Sequence, residues 1–366
     1  MAKALIAEVS PGGPEAPHVA RIESVGRRLP EQRLTTEQLM ATTRHRTRID
    51  LATLTGINER RVSAGVEDSV ALAAAAASDC LRRSRHGPED LEVVVSCSIT
   101  KYRDGLAQWL EPPMSLAVAD RIGASQAETF DVSNACAGML TGVFVVANRI
   151  RRGDIDCGMV VSGEYISQLG QNAAKHVRNI LSPELASLTL GDAGAAIILE
   201  RAPEGVAGIT FAGFTTISEH SRLCLAYPAR HDPGARMFTK SQAIQRFAIA
   251  DTPVLLLEAL EAVGLSISDV DWVIPHQTSA RAIRKGMKEV CAQLGGEPRH
   301  PAVVTVDRYG NTASTTHSVA LVEELEAGHI RSGDRVALVA LASGIEIGIV
   351  LFTVDDELVS HYGNAA

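Results

Sequence analysis

A pattern repeated at a spacing of 180 residues constrains this chain more than any single motif does. A helix-forming run, an acidic turn and a β-branched run occur in order from Ser69 to Ser98, through Pro88-Glu-Asp-Leu-Glu-Val-Val-Val95. The same order returns from Thr252 to Gln277, through Ile267-Ser-Asp-Val-Asp-Trp-Val-Ile274. A second set of helix, Gly-Asp turn and strand runs from Cys136 to Glu164 through Arg152-Gly-Asp154. It recurs from Asn311 to Gly344 through Ser332-Gly-Asp334. Val93 answers to Val273 and Gly153 to Gly333, both 180 residues on. Self-similarity of this kind marks a duplicated unit. Two similar α/β halves are expected, 19–203 and 204–366, related by a pseudo-two-fold axis and preceded by a flexible lead-in at 1–18.

Each half must bury its own sheet with little aromatic material. The 366 residues are 46% hydrophobic but only 4% aromatic, so the cores must be built from Ala, Val, Leu and Ile. With 35 basic and 43 acidic residues the net charge is −8, and no Lys/Arg tract offers a footprint for nucleic acid. The Arg44 to Arg48 cluster reads as a solvated face or a protein contact. The best candidate for a membrane span, Val336 to Val354, is broken by Ser343, Gly344, Glu346 and Gly348 and reads as two strands. Six scattered cysteines without metal-type spacing, and no secretory signal, imply reduced thiols in a cytoplasm. His176, His220, His231 and His329 show no ligand spacing, so no metal is expected.

The duplication brings reactive side chains together. Thr129 to Val132 is a short β-type run, Ser133 to Gly138 a small-residue turn, and a nearly all-apolar helix follows. Arg149, Arg151, Arg152 and Gly153 end that helix. Cys136 thus opens it, where free N–H groups and the helix dipole favour an anion. A thiol there is expected to be acidified toward the thiolate that attacks acyl groups. Asn311 opens the corresponding helix of the second half, and His276 follows the strand Trp272 to Ile274. Strand ends and helix starts share one rim of an open α/β sheet, where ligands bind. A lone buried cysteine is ordinarily inert and a lone histidine ordinarily a satisfied polar group. Three such side chains on one rim favour a catalytic site.

Five stretches resemble the thiolase superfamily, specifically its ketoacyl-ACP synthase III branch. They are Thr55-Gly-Ile-Asn-Glu-Arg60, Asn134-Ala-Cys-Ala-Gly138, Gly191-Asp-Ala-Gly-Ala-Ala196, Asp271-Trp-Val-Ile-Pro-His-Gln277 and Arg308-Tyr-Gly-Asn-Thr312. The resemblance implies a duplicated five-layered αβαβα fold, a homodimer and a Cys136–His276–Asn311 triad. It further implies that Cys136 takes an acyl group from a thioester of acyl carrier protein or coenzyme A, with no cofactor besides these substrates. Backbone N–H groups of Cys136 and Ser343 would hold the oxyanion. His276 and Asn311 would donate to the carbonyl of a second thioester, and His276 would also shuttle protons.

The chain departs from that pattern in three places. Leu54 and Asp50 stand where the family commonly has an Arg and a Trp gripping the adenine of coenzyme A, which favours a carrier-protein donor. Glu111, in Trp109-Leu-Glu-Pro112, takes the acyl-pocket position usually held by Phe. It resembles the glutamate base that olefin-biosynthesis thiolases supply from the partner subunit, and an apolar channel would raise its pKa. His317 stands where the family has a small or apolar residue. Nearly two turns along a helix begun at Asn311, it is expected to lie buried behind the site or to face the other subunit, in a structural or auxiliary role.

Claisen condensation is the leading expectation. A non-condensing acyltransferase, passing the acyl group to a small-molecule hydroxyl, an amine or a carrier thiol, is the alternative. A non-catalytic partner subunit is a third reading, disfavoured by the intact triad.

Overall fold

Each half of the chain builds a mixed sheet, and the two sheets share strand order and sense. The computed structural model describes residues 17–45, 47–64 and 67–363. Most of the 1–18 lead-in therefore lies outside the described residues, as does Arg46 of the basic cluster. The first sheet contains β1 (Ala20–Arg28), β2 (Val93–Ser96), β3 (Glu128–Asp131), β4 (Cys157–Glu164) and β5 (Ala193–Arg201), in the order β1-β5-β4-β2-β3. The second contains β6 (Ile209–Thr216), β7 (Trp272–Pro275), β8 (Arg335–Ala342) and β9 (Glu346–Thr353), in the order β6-β9-β8-β7. In both, two antiparallel pairings are followed by a parallel one. Only the first sheet adds a further parallel edge, β3. At the matching place in the second, Val303 N–H donates to Val273 O (3.0 Å) without a ladder forming.

Side chains alternate along each strand, so each sheet has two apolar faces and needs cover on both. Helices α1 (Ser69–Arg83) and α2 (Met114–Ile122) cover the outer face of the first sheet, packing on Val94, Met159 and Ile198. Between the sheets lie α3 (Gly138–Arg152) and, in the second half, a helix from Thr316 to Glu326. They pack on Val93 and Val95 on one side and Leu338 and Val350 on the other. The outer face of the second sheet, with Val273, Val339 and Ile349, is covered by helices Ser241–Ala262 and Ala280–Leu294. The result is the five-layered α/β arrangement αβαβα. In chain order the remaining helices of ten residues or more are α4 (Ser167–His176), α5 (Ser241–Ala262), α6 (Ala280–Leu294) and α7 (Thr316–Glu326).

The central helices are positioned by their ends. Asp68 caps α1 by accepting from Ala71 N–H. The turns leaving α3 and following α7 both place a glycine in the left-handed region, Gly153 at φ 77° and Gly333 at φ 87°. One boundary differs from expectation: α5 begins at Ser241, ahead of Thr252, and carries Pro253 within it. Its buried residues, Pro253, Leu255, Leu256, Ala259 and Leu260, all lie at or beyond that proline. The apolar signal therefore marks only the packed end.

Candidate active site

The helix α3 does not begin at Cys136. Residues Ala135–Ala137 form a 3₁₀ turn that feeds into it, and Ala135 takes a positive φ of 43°. The second half repeats this turn at Ala313–Thr315, with Ala313 at φ 52°. Left-handed alanines are sparse and costly, on the order of 1–3 kcal/mol each, and persist where surrounding structure enforces them. The two turns pack against each other between the sheets, and the first also packs on β8. Aligning the turns corrects the expected symmetry. Cys136 answers to Ser314, whereas Asn311 lies three residues upstream, in a bridge with Leu190.

Cys136 is half-buried and packs against an apolar cluster of Ile166, Leu169, Leu190 and Ala313. Ala235 and Met237 pack on the same cluster from the hairpin formed by Cys224–Pro228 and Ala235–Thr239. This enclosure overturns the expected acidification. Burial pushes the Cys136 thiol above its ordinary value, and the nearby Cys224 and Glu164 add to the rise, against the donor contact from its own backbone N–H. Desolvation outweighs the turn's free N–H groups. The enclosure favours the neutral thiol at Cys136.

His276 and Asn311 approach the same segment from either end. His276 is 5% exposed, and its backbone N–H donates to Val339 O (2.8 Å) at the end of β7. Its ring Nδ1 is buried without a partner, and burial, with His317 adding to it, lowers the imidazole to about 3. Asn311 N–H donates to Thr189 O (2.8 Å), and Asn311 O accepts from Gly191 N–H (3.0 Å). Its side-chain Oδ1 accepts from Ala313 N–H (2.9 Å), which leaves the Nδ2 amide to donate. His317 lies in the first turn of α7, because the helix starts at Thr316 and not at Asn311. Its ring stands 6.0 Å from that of His276, so it is buried behind the site. Segment 311–317 thus joins Asn311, the turn packed on that of Cys136, and the ring packed on His276. Ser343, the expected second oxyanion donor, begins the turn that follows β8, the strand on which the Cys136 turn rests.

Two buried carboxyls escaped the sequence reading. Glu164, fully buried at the end of β4, accepts from Ile99 N–H (2.9 Å), Thr100 N–H (3.2 Å) and Ser314 Oγ. Asp192 accepts from Ser63, Ile166 and Ser167 N–H groups, each at 2.7 Å. Burial pushes both carboxyls up. They tie the loops around Cys136 to the sheet ends. Their signal was a single acid closing an apolar run, as in Met159-Val-Val-Ser-Gly-Glu164.

Two stretches of the chain match family profiles. Residues 130–218 match 3-oxoacyl-[acyl-carrier-protein (ACP)] synthase III, and residues 260–354 match the C-terminal part of the same family. The beta-ketoacyl-[acyl-carrier-protein] synthase III of Symbiobacterium thermophilum is 30% identical over 311 residues, 81% of this chain and 87% of that protein. This chain belongs to the ketoacyl-ACP synthase III family. Two solved structures share its thiolase fold. Xanthomonas campestris OleA superimposes with a TM-score of 0.80 at 21% identity, covering 93% of this chain and all of that one. The 3-oxoacyl-[acyl-carrier-protein] synthase III of Aquifex aeolicus gives 0.77 at 24%, covering 92% and all.

Within this ketoacyl-ACP synthase III framework the remaining predicted residues are surface features. Glu111 is exposed on the loop before α2, and among the described residues no contact joins it to Cys136, His276 or Asn311. The enclosed carboxyl expected from an apolar channel is therefore not formed within one chain. Leu54, 45% exposed, and Asp50 lie on a short helix packed against α6. The exposed side of α6 carries Arg281, Arg284, Lys285 and Lys288, none ion-paired among the described residues. Among the described residues one group has metal-ligand spacing, Glu23, Glu357 and His361. Glu23 there already accepts from Ser84 Oγ and Arg85 N–H. No helix among the described residues is long and apolar enough to cross a membrane.

Proposed function

We propose that this enzyme loads an acyl group on Cys136 and condenses it with a second thioester. The supporting observation is segment 311–317, which ties the Cys136 turn, Asn311 and His276 into one site within a ketoacyl-ACP synthase III framework. In loading, His276 Nε2 takes the thiol proton, Cys136 Sγ attacks the thioester carbonyl, and the C–S bond to the carrier breaks. The same proton leaves with the carrier thiol. A neutral thiol and a neutral imidazole suit this order, since neither must be charged beforehand. Backbone N–H groups of Cys136 and Ser343 hold the oxyanion.

In the second step a malonyl thioester loses CO₂, or a second acyl thioester loses an α-proton. The enolate oxygen is held by Asn311 Nδ2. The enolate carbon attacks the Cys136 acyl carbonyl and Cys136 Sγ leaves; after loss of CO₂ the thiolate takes up one proton from solvent, whereas in the other route the abstracted α-proton returns to it. For the α-proton route the base is Glu111 of a second copy in a homodimer, which its exposed loop permits.

The donor is carried by acyl carrier protein. The cationic face of α6 begins four residues after His276 and suits an acidic carrier, while Leu54 and Asp50 beside it offer no cation for the adenine end of coenzyme A.

Intact-protein mass after exposure to acyl-carrier protein and acyl-CoA tests loading, and a chase with malonyl-carrier protein or a second acyl thioester tests condensation. A ketoacyl product formed with loss of the Cys136 adduct is expected. Discharge only onto an alcohol, amine or carrier thiol would replace condensation by simple acyl transfer.

A further inference from the structure

His317 has no role in the chemistry above, yet it is 1% exposed and packs against His276. Its Nε2 lies 3.1 Å from Val339 O. A carbonyl only accepts, so Nε2 carries the hydrogen and Nδ1 of His317 holds a lone pair. That Nδ1 is buried without a partner, and so is Nδ1 of His276. Two orphaned ring nitrogens at neighbouring imidazoles are complementary when His276 carries its hydrogen on Nδ1. The rings stand 6.0 Å apart at a tilt of 35°, loose for a direct bond. Such contacts in an unliganded site commonly tighten when substrate binds. Val339 O accepts from both residues, through His276 N–H (2.8 Å) and His317 Nε2 (3.1 Å), so one carbonyl fixes the spacing of the pair.

We propose that His317 is the positioning residue of this site, accepting from His276 Nδ1 and so leaving His276 Nε2 unprotonated to take the Cys136 proton. This rests on the loading role given to His276 above. In Cys–His sites the group behind the imidazole sets its tautomer and orientation. Here a second imidazole, anchored to the backbone, takes that place. Burial holds it neutral, lowered to about 4. Charged groups on the surrounding elements are engaged elsewhere. Arg27 of β1 pairs with Glu323 of α7 and Glu326, and Glu200 of β5 with Arg21 and Arg85. Glu164 of β4 is held by Ser314 and Thr100. Cys136 and the neighbouring Cys224 of the hairpin are the remaining titratable groups of the site.

The test combines nitrogen-15 histidine NMR of the full chain with single-turnover loading of Cys136 across pH. In the wild type, signals identified as His276 by their loss in His276→Asn should show the hydrogen on Nδ1. His317→Leu should lose that preference and load about ten to a hundred times more slowly. His317→Asn, which keeps an acceptor near the Nδ1 position, should recover most of the rate at a similar melting temperature. A wild-type His276 with its hydrogen on Nε2 would overturn the proposal whether or not the His317 variants fold. So would equal loading by the Leu and Asn variants at every pH. Undiminished loading by His276→Asn would instead remove the loading role itself.

Discussion

Gly191 offers a direct way to move Asn311 without touching it. A methyl group at this position would sit 2.2 Å from Tyr309 O, against the 3.4 Å at which ordinary contact begins, and 3.1 Å from the Arg60 Cβ. Gly191→Ala must therefore push the 309–311 segment or its own strand aside by about 1.2 Å. Gly191 N–H donates to Asn311 O, so the shift falls on the residue whose Nδ2 is to hold the enolate. Overpacking of this kind costs about 1–3 kcal/mol of stability. A displacement near 1 Å at a reacting group costs about a hundredfold in rate. Acyl loading and condensation should separate, because the Cys136 turn is not in the collision path. Single-turnover mass spectrometry on a correctly folded variant should show loading within a fewfold of wild type and ketoacyl formation down about a hundredfold. Loss of both steps in equal measure, or full condensation at a lowered melting temperature, would refute the link between Gly191 and Asn311.

The buried thiol predicts that alkylation of Cys136 by iodoacetamide climbs about tenfold per pH unit through pH 9; a plateau near neutrality would show an acidified cysteine. Glu23 is held down at about 2: burial alone would raise it, and the His361 ring 3.2 Å away with hydrogen bonds from Ser84 Oγ and Arg85 N–H more than offset that. Because the folded value lies below the unfolded one, its stabilisation is complete above about pH 4.3 and fades as pH falls toward 2. Glu23→Gln should thus lower the melting temperature at pH 7 while narrowing the gap to wild type in acid. Reversing charge with Arg284→Glu and Lys288→Glu should cut kcat/KM for acyl-carrier protein about tenfold at low salt, with the deficit shrinking as salt rises. An equal loss with acyl-CoA would place the damage in the site and not at a docking surface.

The duplication was legible in the sequence because it leaves a periodic trace. Matching strands need matching β-branched runs, and the Gly153 and Gly333 turns need residues that tolerate a left-handed backbone. The residue types of the site were legible as well. A cysteine beside a small-residue turn and a Pro275-His-Gln277 strand end are local patterns. Gly191, in one of the five quoted stretches, is a glycine for the close approach of Tyr309 O, since no turn dihedral there demands one.

What the sequence could not supply depended on which surfaces meet. The Cys136 thiol is governed by the Met237 hairpin and the Leu190 cluster, neither near it in sequence, and their desolvation reverses the effect expected from local helix geometry. The equivalence of Cys136 with Ser314 appears only when both left-handed alanines are seen, because backbone strain leaves no mark in composition. Glu164 reads as a strand-ending acid until five donors are found around it. His317 reads as an anomaly until its Nε2 meets Val339 O. Periodicity and turn chemistry act over a few residues and are written in the chain, whereas burial and hydrogen-bond partnership act across the fold and arise only when its layers close.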